Sequence, residues 1–172
     1  MTALKITDVK AFMQKLLAAD TFDNFLIYEA VVKTATTFTI DGRINEEFFD
    51  ANDVSGESDG SSRIILEDLQ KWGNVKAGCF ELIKGKTLPL YFKVVLQLSR
   101  ENTEKFLASI GSGFELEDIG GLYMNISFDR QELKVVTGSS LKVFSMDKSL
   151  DREWDDMVLR FLRKHEIQAE EI

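Results

Sequence analysis

One cysteine, one histidine and no long apolar run in 172 residues set the first limits on this chain. A lone Cys79 cannot form an internal disulfide, so the fold must rest on its core, and a reducing compartment fits. One cysteine and one histidine also fall short of a typical zinc site. No apolar run approaches the roughly 18 residues that cross a bilayer. The opening MTALKITDVKAFMQ lacks the basic, apolar and small-residue succession of a signal peptide. These absences lead to the expectation of a cytoplasmic protein with no membrane contact.

With 44% hydrophobic and 29% charged residues, the composition is that of an ordinary globular protein. A chain this long forms one domain over 1–172, burying about 70% of the surface its unfolded form exposes. The net charge of −8 is concentrated in one segment. Between Asp41 and Gln70 stand nine acids against Arg43 and Arg63, a local charge of −7. The low isoelectric point therefore says little about the rest of the surface.

The stretch from Trp72 to Leu98 organises the chain. Leu69, Trp72, Val75, Cys79, Leu82 and Ile83 recur at helical spacing, with Gly85 as the expected C-cap. From Leu88 the period becomes two, placing Leu88, Leu90, Phe92, Val94, Leu96 and Leu98 inward. The only proline, Pro89, stands at that strand's start, where a strand tolerates it. Upstream, Leu4 to Ile6 reads as a strand, followed by a helix capped by Thr7 or Asp8. Phe25 to Ile40 reads as one bent strand or two, with Leu26, Tyr28, Ala30 and Val32 inward, Ile27, Glu29, Val31 and Lys33 outward, and a hairpin at Asp41-Gly42. Residues 46–62 read as a polar acidic loop, and Ile64 to Leu66 as a further short strand. Downstream come a helix through Phe106, Leu107 and Ile110, strands at Leu122–Phe128, Leu133–Thr137 and Leu141–Phe144, and a last helix from about Ser149 through Trp154, Val158 and Leu162.

Set side by side, the two parts of the chain align in three ordered blocks. Trp72 falls on Trp154, Phe12 on Phe106, and the strand beginning at Leu26 on that beginning at Leu122. We read this as an internal duplication, with pseudo-repeats at about 1–86 and 87–172 and the acidic loop 46–62 inserted in the first. The unit is β-α-β(3-4)-α used twice, an α+β fold with an antiparallel sheet and helices packed on one face. In element order alone it resembles the two-fold architecture of the TATA-box-binding protein, and more loosely half a sliding clamp. The run Trp72…Leu82-Ile83-Lys84-Gly85-Lys86-Thr87…Pro89-Leu90…Phe92-Lys93 resembles the core of a small bacterial family of unknown function. That resemblance spans nearly the whole chain and implies no particular activity.

Motifs that carry chemistry reduce to structural readings. Gly85-Lys86-Thr87 has the tail of a phosphate-binding loop, but Phe80 stands where that motif needs glycine, and a strand follows in place of a helix. His165 lies among Arg163, Lys164 and Glu166 with no nucleophile or orienting carboxylate in sequence reach. The acidic run from Asp50 puts Val54 and Ser55 where a calcium loop needs a ligand and a glycine. Adjacent acids such as Asp155-Asp156 and Glu117-Asp118 diverge on a helix and read as surface charge. No cofactor, metal or catalytic residue is assigned.

What remains is the outward face of the sheet. Glu29, Lys33, Tyr91, Lys93, Gln97, Tyr123 and Asn125 share it on strand alternation, and aromatics interleaved with lysines and amides suit a protein partner or stacked bases. The same pattern also describes any antiparallel sheet wetted on one side. The reading favoured is a non-catalytic binding or scaffold protein acting through this face on a protein partner or by self-association. Two alternatives stay open: nucleic-acid binding on the same face, and a small-molecule or enzymatic pocket between sheet and helices, gated by the loop Gly111–Gly121.

Overall fold

A computed structural model describes residues 1–48 and 67–172. In chain order these form β1 (Ala3–Ile6), α1 (Val9–Leu17), β2 (Leu26–Lys33), β3 (Thr37–Asp41), α2 (Trp72–Ile83), β4 (Tyr91–Gln97), α3 (Arg100–Ile110), a 3-10 turn (Leu116–Asp118), β5 (Ile119–Phe128), β6 (Leu133–Leu141), α4 (Ser149–Lys164) and β7 (Ala169–Glu171). The strands make one sheet in the order β3-β2-β4-β5-β6-β1-β7, and every pairing is antiparallel. The architecture is α+β.

Local chemistry sets the helix ends. Asp8 accepts the Ala11 N–H at 2.9 Å and starts α1. The Ser99 hydroxyl accepts the Asn102 N–H at the start of α3, and Gly111, with φ of +58°, closes that helix in the left-handed conformation, which costs glycine little. Gly85 plays no such part: α2 ends at Ile83, with Lys84 extended at its C-cap.

Strand alternation builds the core. Ala30, Val32, Phe92, Val94, Leu96, Met124, Ile126, Leu133 and Val135 lie buried beneath Phe12 and Leu16 of α1, Trp72 and Cys79 of α2, Phe106 of α3, and Trp154, Val158 and Leu162 of α4. Both indoles are buried and both N–H groups find main-chain carbonyls, Trp72 on Leu16 at 2.8 Å and Trp154 on Tyr123 at 3.0 Å. Burying so polar an edge without a partner would cost about 1–3 kcal/mol.

Among the named elements the order β-α-β-β-α occurs as β1 to α2, with helical residues 46–48 between β3 and α2, and again as β4 to α4, with the 3-10 turn between α3 and β5. The neighbours differ, because β1 lies beside β6 while β4 lies between β2 and β5. Most of the segment read as an acidic insertion, and the strand read at 64–66, lie outside the described residues.

Several boundaries depart from strand and helix patterning. The Phe25–Ile40 stretch is two strands that turn at Thr34–Thr36, where the Thr34 N–H donates to the Thr36 carbonyl; Asp41-Gly42 is not the hairpin. Gly42 serves a close approach, since a Cβ there would overlap the Ile27 carbonyl oxygen. β4 begins at Tyr91, leaving Leu88 outside it and 68% exposed. β6 runs unbroken through Leu141, and Phe144, expected in a strand, stands 95% exposed in the following loop.

The largest departure is a β-bulge. β2 pairs with β4 as Ile27 with Leu96 and then Glu29 with Val95, so Tyr28 is the extra residue. The cause lies outside the strand. Residues 68–72 wedge between the diverging ends of β2 and β3: the Ile27 N–H donates to Gln70, the Gln70 N–H to Gly42, the Ile44 N–H to Asp68 and the Trp72 N–H to Phe25. The bulge turns Ile27 inward to full burial and Tyr28 outward to 50% exposure, reversing the alternation expected of both.

Candidate binding face

The helices pack on one side of the sheet. α4 is tied there by the hydroxyls of Thr137 and Ser139, which donate to Asp155 and Asp151. On the other side the sheet keeps its polar alternation, and the Lys93 and Glu29 side chains retain 36% and 37% of their exposure.

Strand register brings the seven expected residues together on that side. Lys33 stands opposite Tyr91 and Glu29 opposite Val95, while Lys93, Val95 and Gln97 stand opposite Ser127, Asn125 and Tyr123. The Lys93 ammonium approaches the Glu29 carboxylate at 3.4 Å. The Lys33 ammonium lies 5.2 Å from the Tyr91 ring centre, a cation–π contact. Asn125 donates its amide to the Val136 carbonyl at 3.2 Å. Gln97 makes no side-chain hydrogen bond among the described residues and is held by its place between Leu26 and Tyr123.

Tyr28 is the member that alternation missed. Its ring meets Tyr123 edge to face, centres 5.7 Å apart and planes at 82°, the arrangement aromatic quadrupoles prefer. Tyr123 needs one glycine to lie flat. A Cβ on Gly121 would overlap its ring, whereas one on Gly138, opposite it on β6, would meet it only at ordinary contact distance. Partial burial, and then the neighbouring Tyr28, push the Tyr123 phenol above its ordinary pKa. No pattern around Tyr28 signals its place on this face, because the bulge depends on the bonds that Gln70 and Trp72 make at the sheet end.

Beside Tyr28 the face dips into a hollow of about 350 Å³ lined by Tyr28, Glu29, Thr39, Asp41, Arg43 and Leu69. Arg43 grips Asp41 through Nε at 3.0 Å and Nη2 at 2.7 Å. That bond holds the Asp41 carboxyl below the usual carboxylate range and raises Arg43. Elsewhere Lys134 pairs with Glu132 at 2.7 Å. Cations on this face are thus largely matched by acids, which makes it a poor track for phosphates and a fair match for another protein's mixed rim.

The other hollows differ in kind. A groove of about 400 Å³ runs between α1, α2 and the start of β4, lined by apolar residues such as Met13, Leu17, Phe80, Ile83, Leu88 and Phe128; Lys10, Gln14 and Lys84 are its polar members. No residue of the Gly111–Gly121 loop borders it, so that loop is not its gate. A further cleft, of about 740 Å³, follows the N-terminus of α3, where Glu67 already accepts the Arg100 N–H at 2.7 Å. Burial pushes the Cys79 thiol up to about 11, which keeps it a protonated apolar filler at neutral pH. The His165 ring packs on Phe161 with centres 4.6 Å apart. Lys86 and Thr87 stand exposed between α2 and β4. The calcium-like run from Asp50 lies outside the described residues; among the described ones no group of three or more His, Cys, Asp or Glu is placed to hold a metal ion, and no helix is long and apolar enough to cross a membrane.

Comparison with known proteins adds a family and no activity. No curated protein and no solved structure matches the chain. The sequence model of a Family of unknown function (DUF5721) matches residues 15–170, nearly the whole fold from the second half of α1 into β7. The chain belongs to that family of unknown function.

Proposed function

We propose that this chain is a non-catalytic binding module of the cytoplasm that holds a protein partner on the uncovered face of its sheet, centred on Tyr28 and Tyr123. The observation that carries the reading is the edge-to-face tyrosine pair on a face no described helix covers, one ring half exposed. Aromatic side chains at the centre of a polar, charge-balanced surface are the usual anchors of protein interfaces. Glu29, Lys33, Tyr91, Lys93, Gln97 and Asn125 form the rim, where they exclude water and set orientation.

The test is capture from native lysate by the tagged chain beside a Lys93→Glu/Tyr123→Ala variant. The expected result is a set of proteins held by the parent chain through nuclease and raised salt, and lost in a double variant that circular dichroism shows to be folded. Equal capture by both removes the face. Capture that vanishes with nuclease and falls steeply with salt transfers the face to nucleic acid.

A further inference from the structure

The two edges of the sheet are built differently. β7 has three residues, two of them Glu170 and Glu171, and a short charged edge repels further strands. β3 reads Thr-Phe-Thr-Ile-Asp, with no lysine, proline or bulge to blunt it. Its inward bonds follow from one contact: the Gly42 N–H donates to the Tyr28 carbonyl. Antiparallel alternation then turns Phe38 and Ile40 toward β2, and turns the N–H and C=O groups of Thr37, Thr39 and Asp41 away from it. Among the described residues β3 pairs only with β2, so these outward groups lack a main-chain partner.

We infer that β3 is the self-association edge of the protein and pairs antiparallel with β3 of a second copy about a two-fold axis at Thr39. That register is the one that uses all three outward residues, setting Thr39 against Thr39 and Thr37 against Asp41. On the helix side it sets Phe38, 39% exposed, against Ile40 of the second copy, an aromatic–β-branched pair of the kind that stabilises sheets. On the open side it completes a charged row. Lys33 lies beside Thr37 in the sheet, so Asp41 of the second copy enters the row of Lys33, a lysine with no carboxylate partner among the described residues. The two-fold repeats this placement in reverse, with Thr37 between the two charges, and no like charges face one another. This match of the edge to itself selects a second copy over an unrelated strand. An axis perpendicular to the sheet leaves both tyrosine faces on the same side, doubling the surface proposed above, although the pairing stands without that proposal.

Sedimentation equilibrium of the full chain, with Thr39→Lys and Thr39→Pro variants, tests it. The parent chain is expected at twice 19.5 kDa. Lysine at 39 opposes two cations across the axis, and proline removes an outward N–H while sparing the bonds to β2. Each folded variant should dissociate at least about tenfold more readily, judged against unchanged circular dichroism. A parent chain that stays at 19.5 kDa up to about 100 μM overturns the inference. So does a parent dimer whose folded Thr39→Lys variant remains equally dimeric, whatever the proline variant does.

Discussion

Tyr28 and Tyr123 touch although their strands do not: β4 separates β2 from β5, yet the rings meet edge to face at 5.7 Å. The bulge lifts Tyr28 out of the pleat, and Gly121 lets Tyr123 lie down beside it. A double-mutant cycle on Tyr28→Ala and Tyr123→Ala, read by urea unfolding, should return a coupling of about 0.5–1.5 kcal/mol. Strict additivity would mean the contact is incidental.

The Tyr123 phenol is held above its ordinary value of 10.0, first by burial and then by Tyr28. Because its folded pKa is raised, its contribution to stability is complete below pH 10 and is lost as pH rises through the folded value. Ultraviolet titration should show one tyrosine ionising late. Tyr28→Phe should bring that step closer to the ordinary value; an unmoved step removes Tyr28 as a cause.

Cys79 behaves as a buried apolar group. With its thiol raised by burial from 9.0 to about 11, its contribution to stability is intact below pH 9 and fades as pH climbs through about 11. A thiol reagent at pH 8 should label the native protein far more slowly than the urea-unfolded chain. Comparable rates would place Cys79 at the surface.

Three glycines should separate by what surrounds them. Gly42→Ala drives a methyl into the Ile27 carbonyl and should cost more than about 3 kcal/mol, or prevent folding. Gly121→Ala displaces the Tyr123 ring and should lower that residue's ionisation toward its ordinary range as it frees the phenol. Gly78 lies within α2 with open space where a Cβ would go, so Gly78→Ala should raise stability by about 1 kcal/mol. Thermal or chemical unfolding ranks all three, and a neutral Gly42→Ala would contradict the close approach.

The indoles anchor helices to main chain. Trp154→Ala should cost about 3–5 kcal/mol, and Trp154→Phe about 1–3 kcal/mol because the Tyr123 carbonyl loses its donor. A loss below about 1 kcal/mol for the alanine variant would remove Trp154 from the core.

The sequence by itself determined what is local. Thr7-Asp8 and the run from Ser149 mark where helices start, because a cap or a 3.6-residue apolar stripe needs only neighbours in the chain, and the structure chose Asp8 as the cap. Alternation in β4 and β5 put Tyr91, Lys93, Gln97, Tyr123 and Asn125 on one face, because pleating has a period of two whatever the partner strand. Tertiary structure alone decided what depends on distant segments. The place of Tyr28 follows from residues 68–72 entering the sheet end some forty positions later, and no pattern inside β2 encodes that wedge. β7 escaped notice because Ala169–Glu171 has no strand patterning and is ordered by bonding to β1. The strand order, and with it which edge stays open, rests on pairings such as Leu4 with Val135, whose free energy depends on packing between residues far apart in the chain.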